Sequence, residues 1–186
     1  MKIDFIIPTL YRDTLDRAVA SIKQEGINHN ILICGQRKPK GYVGNPSDAV
    51  TNVNEGLSKI RIDSDWVMVL DDDDYLNKGF SKQLNNNYDV VVLRMSQDAS
   101  NPFYPPKIIP RIGDDNLYEG NVGCNFVIKT SFYLQHKWMF DASVKSPDWN
   151  FLEKLLKHTT RINITKDIYY VAPMGGYYKS KPTGKR

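Results

Sequence analysis

Short apolar runs alternate with amphipathic stretches through the first half of the chain. Residues 3–7 are isoleucine-rich and stopped by Pro8, which reads as a buried strand. Leu15, Ala18, Val19 and Ile22 then recur at helical spacing, with Asp13 or Thr14 placed to cap the start. Residues 31–34 form a second strand ending at Gly35. A loop with Gly41, Gly44 and Pro46 follows, then a helix over about 47–60. Residues 66–70 form a third strand, 80–84 a short helix and 88–93 a fourth strand. The resulting β-α-β-α-β-α-β order predicts a mainly parallel sheet covered on both faces.

Beyond residue 110 the pattern is less regular. Residues 125–129 and 168–171 read as strands. Residues 131–136 read as a helix, and 151–156 belong to a longer helix with Pro147 near its start. The Pro-rich run 101–110 reads as a connection inside one domain. Ligands in open α/β sheets bind beyond the carboxyl ends of the strands. Pro8 to Arg12, Cys34 to Gln36 and Asp71 to Asp74 all fall at such ends, so one crevice is expected to collect them.

Bulk properties narrow the field only a little. The 186 residues suit one domain, and 41% hydrophobic with 25% charged residues is ordinary for a globular protein. No apolar window is long enough to span a bilayer, and the start (MKIDFIIPTL) has no signal-peptide pattern. Cys34 and Cys124 are too far apart in sequence for a disulfide scaffold and have no metal-ligand spacing. A soluble, cytoplasmic protein is therefore expected. A net charge of +4 suits anionic substrates but does not by itself argue for nucleic acid. Part of it lies in the tail KSKPTGKR, read as a solvated end.

The stretch VMVLDDDDYL (67–76) carries the chemistry. Two carboxylates about 5 Å apart at an effective dielectric near 20 repel by roughly 3 kcal/mol. A divalent cation between them offsets that repulsion, and so does good hydration. Hard oxygen ligands favour Mg²⁺ or Mn²⁺, and a site with one or two carboxylates shares its metal with substrate phosphates. In extended backbone, Asp71 and Asp73 share one side and Asp72 and Asp74 the other. Seen alone the run is also a solvated acidic turn; its position after a buried strand favours the metal. A calcium loop is the weaker option, since the EF-hand glycine and twelfth-position glutamate are missing.

Three segments together carry a resemblance. FIIPTLYRDTLDRAVASI is similar to the opening of the GT-A nucleotide-sugar glycosyltransferases, above all their family 2 group. NVNEGLSKIRIDSDWVMVLDDDDYL resembles that family's Asn-x-Gly helix leading into a strand with an Asp-x-Asp end. DASVKSPDWNFLEKLLKHTTRI resembles the later segment in which an acidic pair opens a helix near the acceptor. The resemblance implies a Rossmann-like α/β sandwich around a mainly parallel, mixed sheet. Residues 1–95 would form the nucleotide-sugar half and 96–180 the acceptor side, leaving 181–186 as a basic tail.

It also implies roles. Pro8, Thr9, Arg12 and Asn54 would line the donor site with Asp71 and Asp72. Asp71 and Asp73 would hold Mn²⁺ or Mg²⁺, with the register open by one residue. The family's Glu-Asp pair stands here as Pro147-Asp148, so Asp148 is the candidate base and Glu153 and Asp141 are the fallback carboxylates. Asp148 also suits the helix N-terminus electrostatically. Residues 120–125, with two glycines, are placed to pass close to the sugar. Tyr177, Tyr178 and Lys179 after Gly175-Gly176 have the composition of a phosphate-touching lid. His136 and His158 read as surface side chains.

The implied activity is metal-dependent, inverting transfer of a sugar from a nucleotide-diphosphate donor, with uridine guessed, to an acceptor hydroxyl. The acceptor is a glycan, a small molecule, a protein or a hydroxylated DNA base. DNA rests only on Lys78, Lys82, Lys107 and Arg111 and is not favoured. Two rivals stand beside this reading. A nucleotidyltransferase would need glycines that PTLYRDT lacks. A nucleotide-sugar-binding module without turnover gains from the acid missing before Asp148.

Overall fold

A computed structural model describes residues 1–9, 11–35, 46–97 and 106–173. The first unit is strand β1 (Lys2–Pro8), helix α1 (Leu15–Lys23) and strand β2 (Asn28–Cys34). Helix α2 (Pro46–Ser58) and strand β3 (Trp66–Val69) follow, then a two-residue strand β4 (Tyr75–Leu76) and a 3₁₀ turn over Phe80–Gln83. Strands β5 (Val90–Gln97), β6 (Lys107–Ile109) and β7 (Phe126–Lys129) lead to helices α3 (Thr130–His136) and α4 (Pro147–Leu156), and β8 (Ile162–Ala172) closes the order.

The strands form one sheet in the order β2-β1-β3-β7-β5-β8-β4, with β6 on the side of β5. β1 is parallel to β2 and β3, while β7 is antiparallel to both of its neighbours, β3 and β5. Because β8 is parallel to β5, strands β1, β2, β3, β5 and β8 all run one way. The mainly parallel, mixed sheet expected from the sequence is present, with β7 as a reversed insert and short β4 and β6 also reversed.

Both faces of the sheet are covered, which is why its strands read as continuous apolar runs. Ile3, Phe5 and Ile7 pack with Ile22, Met68 and Phe80 on one side. Ile6, Val67 and Val69 pack with Val53, Leu57, Phe151 and Leu155 on the other. The charge inside β1 is satisfied: buried Asp4 accepts the Ser64 hydroxyl (2.5 Å) and the Arg61 backbone N–H (2.9 Å). Helix α2 lies close against β1 because Gly56 has no Cβ. One added there would sit 2.3 Å from Ile6 Cγ2.

No helix among the described residues is long and apolar enough to cross a membrane. Both cysteines are free and buried. The loop with Gly41 and Gly44, Gln36, residues 101–105 of the Pro-rich run, the lid residues Tyr177, Tyr178 and Lys179, and the basic tail lie outside the described residues.

Candidate active site

Parallel pairing brings the ends of β1 and β3 level, and the Leu70 N–H extends their ladder by donating to the Ile6 carbonyl (2.9 Å). The four aspartates then leave the sheet. They form a turn, closed by the Asp74 N–H donating to the Asp71 carbonyl (3.1 Å), rather than the extended segment expected. Burial still divides them in alternation. Asp72 and Asp74 are 3% and 7% exposed, whereas Asp71 is half-buried and 22% of the Asp73 side chain is accessible. The pair facing outward is thus Asp71 and Asp73.

The segment after β1 wraps over this turn. The Thr9 hydroxyl donates to Asp72 (2.6 Å) and accepts the Tyr11 backbone N–H (2.7 Å). Tyr11 carries a left-handed φ of 59° and keeps 44% exposure. Such strain in a non-glycine residue clusters at functional sites. The Arg12 guanidinium reaches Asp73 at 2.6 Å and Asp72 at 3.3 Å. Arg17 donates to the Asp73 carbonyl (2.5 Å) and lies over the Tyr75 ring, 5.0 Å from its centre. Of the predicted residues, Pro8, Thr9, Arg12, Asp71, Asp72 and Asp73 are assembled here. Thr9 and Arg12, read as donor contacts, bind the carboxylates themselves.

The second half of the chain meets the first at the same place. Cys124 precedes β7 and places its Sγ 3.0 Å from Asp148 Oδ1, in the first turn of α4. The Tyr170 hydroxyl of β8 accepts the Asp71 N–H at 3.4 Å and donates to the Asp74 carboxyl. Negative charge accumulates accordingly. Burial, then Asp73, Asp148 and Asp72, push the Asp71 carboxyl up to about 8 against the pull of Arg12. Burial and the charges of Asp71 and Asp73 hold Asp74 well above the usual carboxylate range. Burial raises Asp148 too, opposed by the Cys124 hydrogen bond. The Cys124 thiol is pushed well up by burial and by Asp148, and so stays protonated.

Other expected residues fall elsewhere. Both polar atoms of the Asn54 amide engage Phe140: Nδ2 donates to its carbonyl (2.9 Å) and Oδ1 accepts its N–H (2.8 Å). Asn54 therefore clasps α2 to the segment before α4. Asp141 accepts the Ser143 N–H and hydroxyl, and Glu153 pairs with Lys157 at 3.3 Å. His136 stacks flat on Trp138, with ring centres 4.1 Å apart, and His158 leans against both. Tyr11, Cys124 and Tyr170 are site residues the sequence reading passed over. The continuous apolar run around Tyr170 marked a strand but not which way its ring points.

No protein-family model matches this sequence, and no curated protein matches it either. Solved structures do match. The S. aureus TarS fragment 1–349 superposes with a TM-score of 0.70 at 16% identity, over 92% of this chain. The catalytic domain of Drosophila β1,4-galactosyltransferase 7, solved with xylobiose, gives 0.58 at 14% identity over the whole chain and 75% of its own. This chain has the GT-A fold of nucleotide-sugar glycosyltransferases. It spans 60% of the TarS fragment. That fragment has also been solved with UDP, and with UDP-GlcNAc in a structure that matches with a TM-score of 0.64 over 97% of this chain.

Proposed function

We propose that this chain is a metal-assisted, inverting glycosyltransferase that moves a sugar from a nucleoside diphosphate to an acceptor hydroxyl. The observation that carries the reading is that Asp71 and Asp73, the less buried pair of the turn after β3, lie with Asp71 near enough to Asp148 to feel its charge. Residues 1–95 hold the donor and 96–180 the acceptor. UDP is the favoured nucleotide and a carbohydrate the favoured acceptor. TarS was solved with UDP-GlcNAc, and a Drosophila galactosyltransferase that matches with a TM-score of 0.52 was solved with manganese, UDP-Gal and xylobiose.

The residues present fit a divalent ion. Asp71 and Asp73 are hard oxygen donors, and Asp71 is raised to about 8 by burial first and then by its negative neighbours, against Arg12. Among the described residues no three side chains form a complete cage, which suits an ion that takes further oxygens from phosphates and water. Mg²⁺ or Mn²⁺, when bound, offsets charge on the departing diphosphate. Arg12 holds Asp73 in place and contributes fixed positive charge beside the phosphates. Asp148 takes the proton from the acceptor hydroxyl as that oxygen attacks the anomeric carbon, help worth about 10²–10⁴-fold. Direct attack assisted by Asp148 as the single base yields inversion. Asn54, occupied by Phe140, is left out of the donor set.

A thermal-shift screen of UDP-sugars with Mn²⁺, followed by transfer to sugar acceptors, tests the reading. UDP with Mn²⁺ is expected to raise Tm of the wild type and not of the Asp71→Asn/Asp73→Asn double variant. Stabilisation and turnover that survive both substitutions sink it. Donor binding without sugar release from any acceptor favours a binding module instead.

A further inference from the structure

Cys124 is one of two cysteines in the chain and the one that touches a carboxylate. Its position is fixed from both sides. Fully buried Asn125 donates through Nδ2 to the Leu93 carbonyl (2.5 Å) and accepts the Gly123 N–H on Oδ1 (2.8 Å). The Leu93 N–H returns a bond to the Asn125 carbonyl (2.8 Å). Gly123 is tight as well, since a Cβ there would stand 3.2 Å from Met95 Cε. The thiol is therefore anchored to β5, in the middle of the sheet, and not to a surface loop.

Asp148 is the second residue of α4, where a carboxylate ordinarily turns back to the free N–H groups of the first turn. It instead accepts from Cys124 across 24 positions of sequence, and Oδ2 has no hydrogen-bond partner among the described residues. We infer that Cys124 is a positioning residue for Asp148: its S–H bond to Oδ1 fixes the carboxylate so that Oδ2 faces the acceptor hydroxyl. This rests on the assignment of Asp148 as base. A neutral thiol suits the task chemically. An arginine or lysine in its place would orient the carboxylate too, but its charge would stabilise the ionised form and weaken the base. The neutral S–H donor orients the carboxylate, and although its hydrogen bond opposes the rise, burial still holds Asp148 above the usual carboxylate range.

Two measurements test the inference, one of them independent of turnover. In a Cys34→Ala background only the Cys124 S–H stretch remains in the infrared spectrum. It is expected at low frequency, moving to the free-thiol position when Asp148→Ala is added; an unmoved band overturns the inference. With the donor found by the UDP-sugar screen, Cys124→Ala is expected to lower kcat about tenfold, part of the ~10²–10⁴ a base supplies, at unchanged donor KM. Cys124→Ser, which keeps a donor, is expected to recover most of that loss. Wild-type kcat in Cys124→Ala, or equal losses in Ala and Ser, overturns it. Asp148→Asn separates the two levels. If it turns over normally, the base assignment itself falls. If it is inactive while Cys124→Ala is unimpaired, only the positioning role falls.

Discussion

Asp71 keeps its proton at pH values where a free aspartate has long lost it, and this makes the site pH-sensitive in a defined direction. With its carboxyl raised from 3.8 to about 8, the folded chain binds a proton between these values that the unfolded chain has released. Stability of the metal-free protein therefore falls as pH rises through roughly 4 to 8 and levels off above. A divalent ion displaces that proton, so its stabilising effect grows over the same window. Melting curves across the range, with EDTA and with Mn²⁺, check this, and Asp71→Asn is expected to flatten both trends. Thr9→Val is a second residue-scale test. It removes a donor from buried Asp72, with an expected cost of about 1–3 kcal/mol in urea unfolding at unchanged m. The carboxylate run announced this chemistry in the sequence. The partners did not: Arg12 looked like a donor contact because nothing in PTLYRDT says that its guanidinium folds back onto Asp72 and Asp73.

Elements were easier to read than their contacts. Strands β1, β2, β3, β5 and β7 and the four α-helices among the described residues follow from apolar runs and periodicity, since burial on one face or both leaves a direct mark on composition. Strands β4 and β6 left no such mark, being only two and three residues long. β8 was read over its last residues alone because Thr165, Lys166 and Asp167 interrupt its apolar pattern where its register with β5 shifts. The link from β2 to the site is also steric. Gly35 has φ 143°, and a Cβ there would lie 2.0 Å from the Thr9 carbonyl. Gly35→Ala is therefore expected to push the Pro8–Arg12 segment off the aspartates. The check is paired: weaker UDP–Mn²⁺ stabilisation together with a lower Tm. A substitution that lowers Tm and leaves UDP affinity untouched would place the donor elsewhere.

At the scale of the molecule, the order of elements made the parallel half of the sheet legible and left its second half obscure. Local pattern specifies strands but not their neighbours, and nothing near residues 126–129 announces that β7 enters between β3 and β5 in reverse. That insertion carries Cys124 to the aspartates, and β8, lying between β5 and β4, carries Tyr170 there. The arrangement constrains biogenesis. The acidic turn is synthesised well before the strand whose phenol steadies it, so the nascent chain carries four aspartates with their final scaffold still unmade. A protein ended at residue 161 is expected to show no cooperative melting and no response to Mn²⁺. The proposed donor site is thus expected to stay incomplete until β8 has paired between β5 and β4.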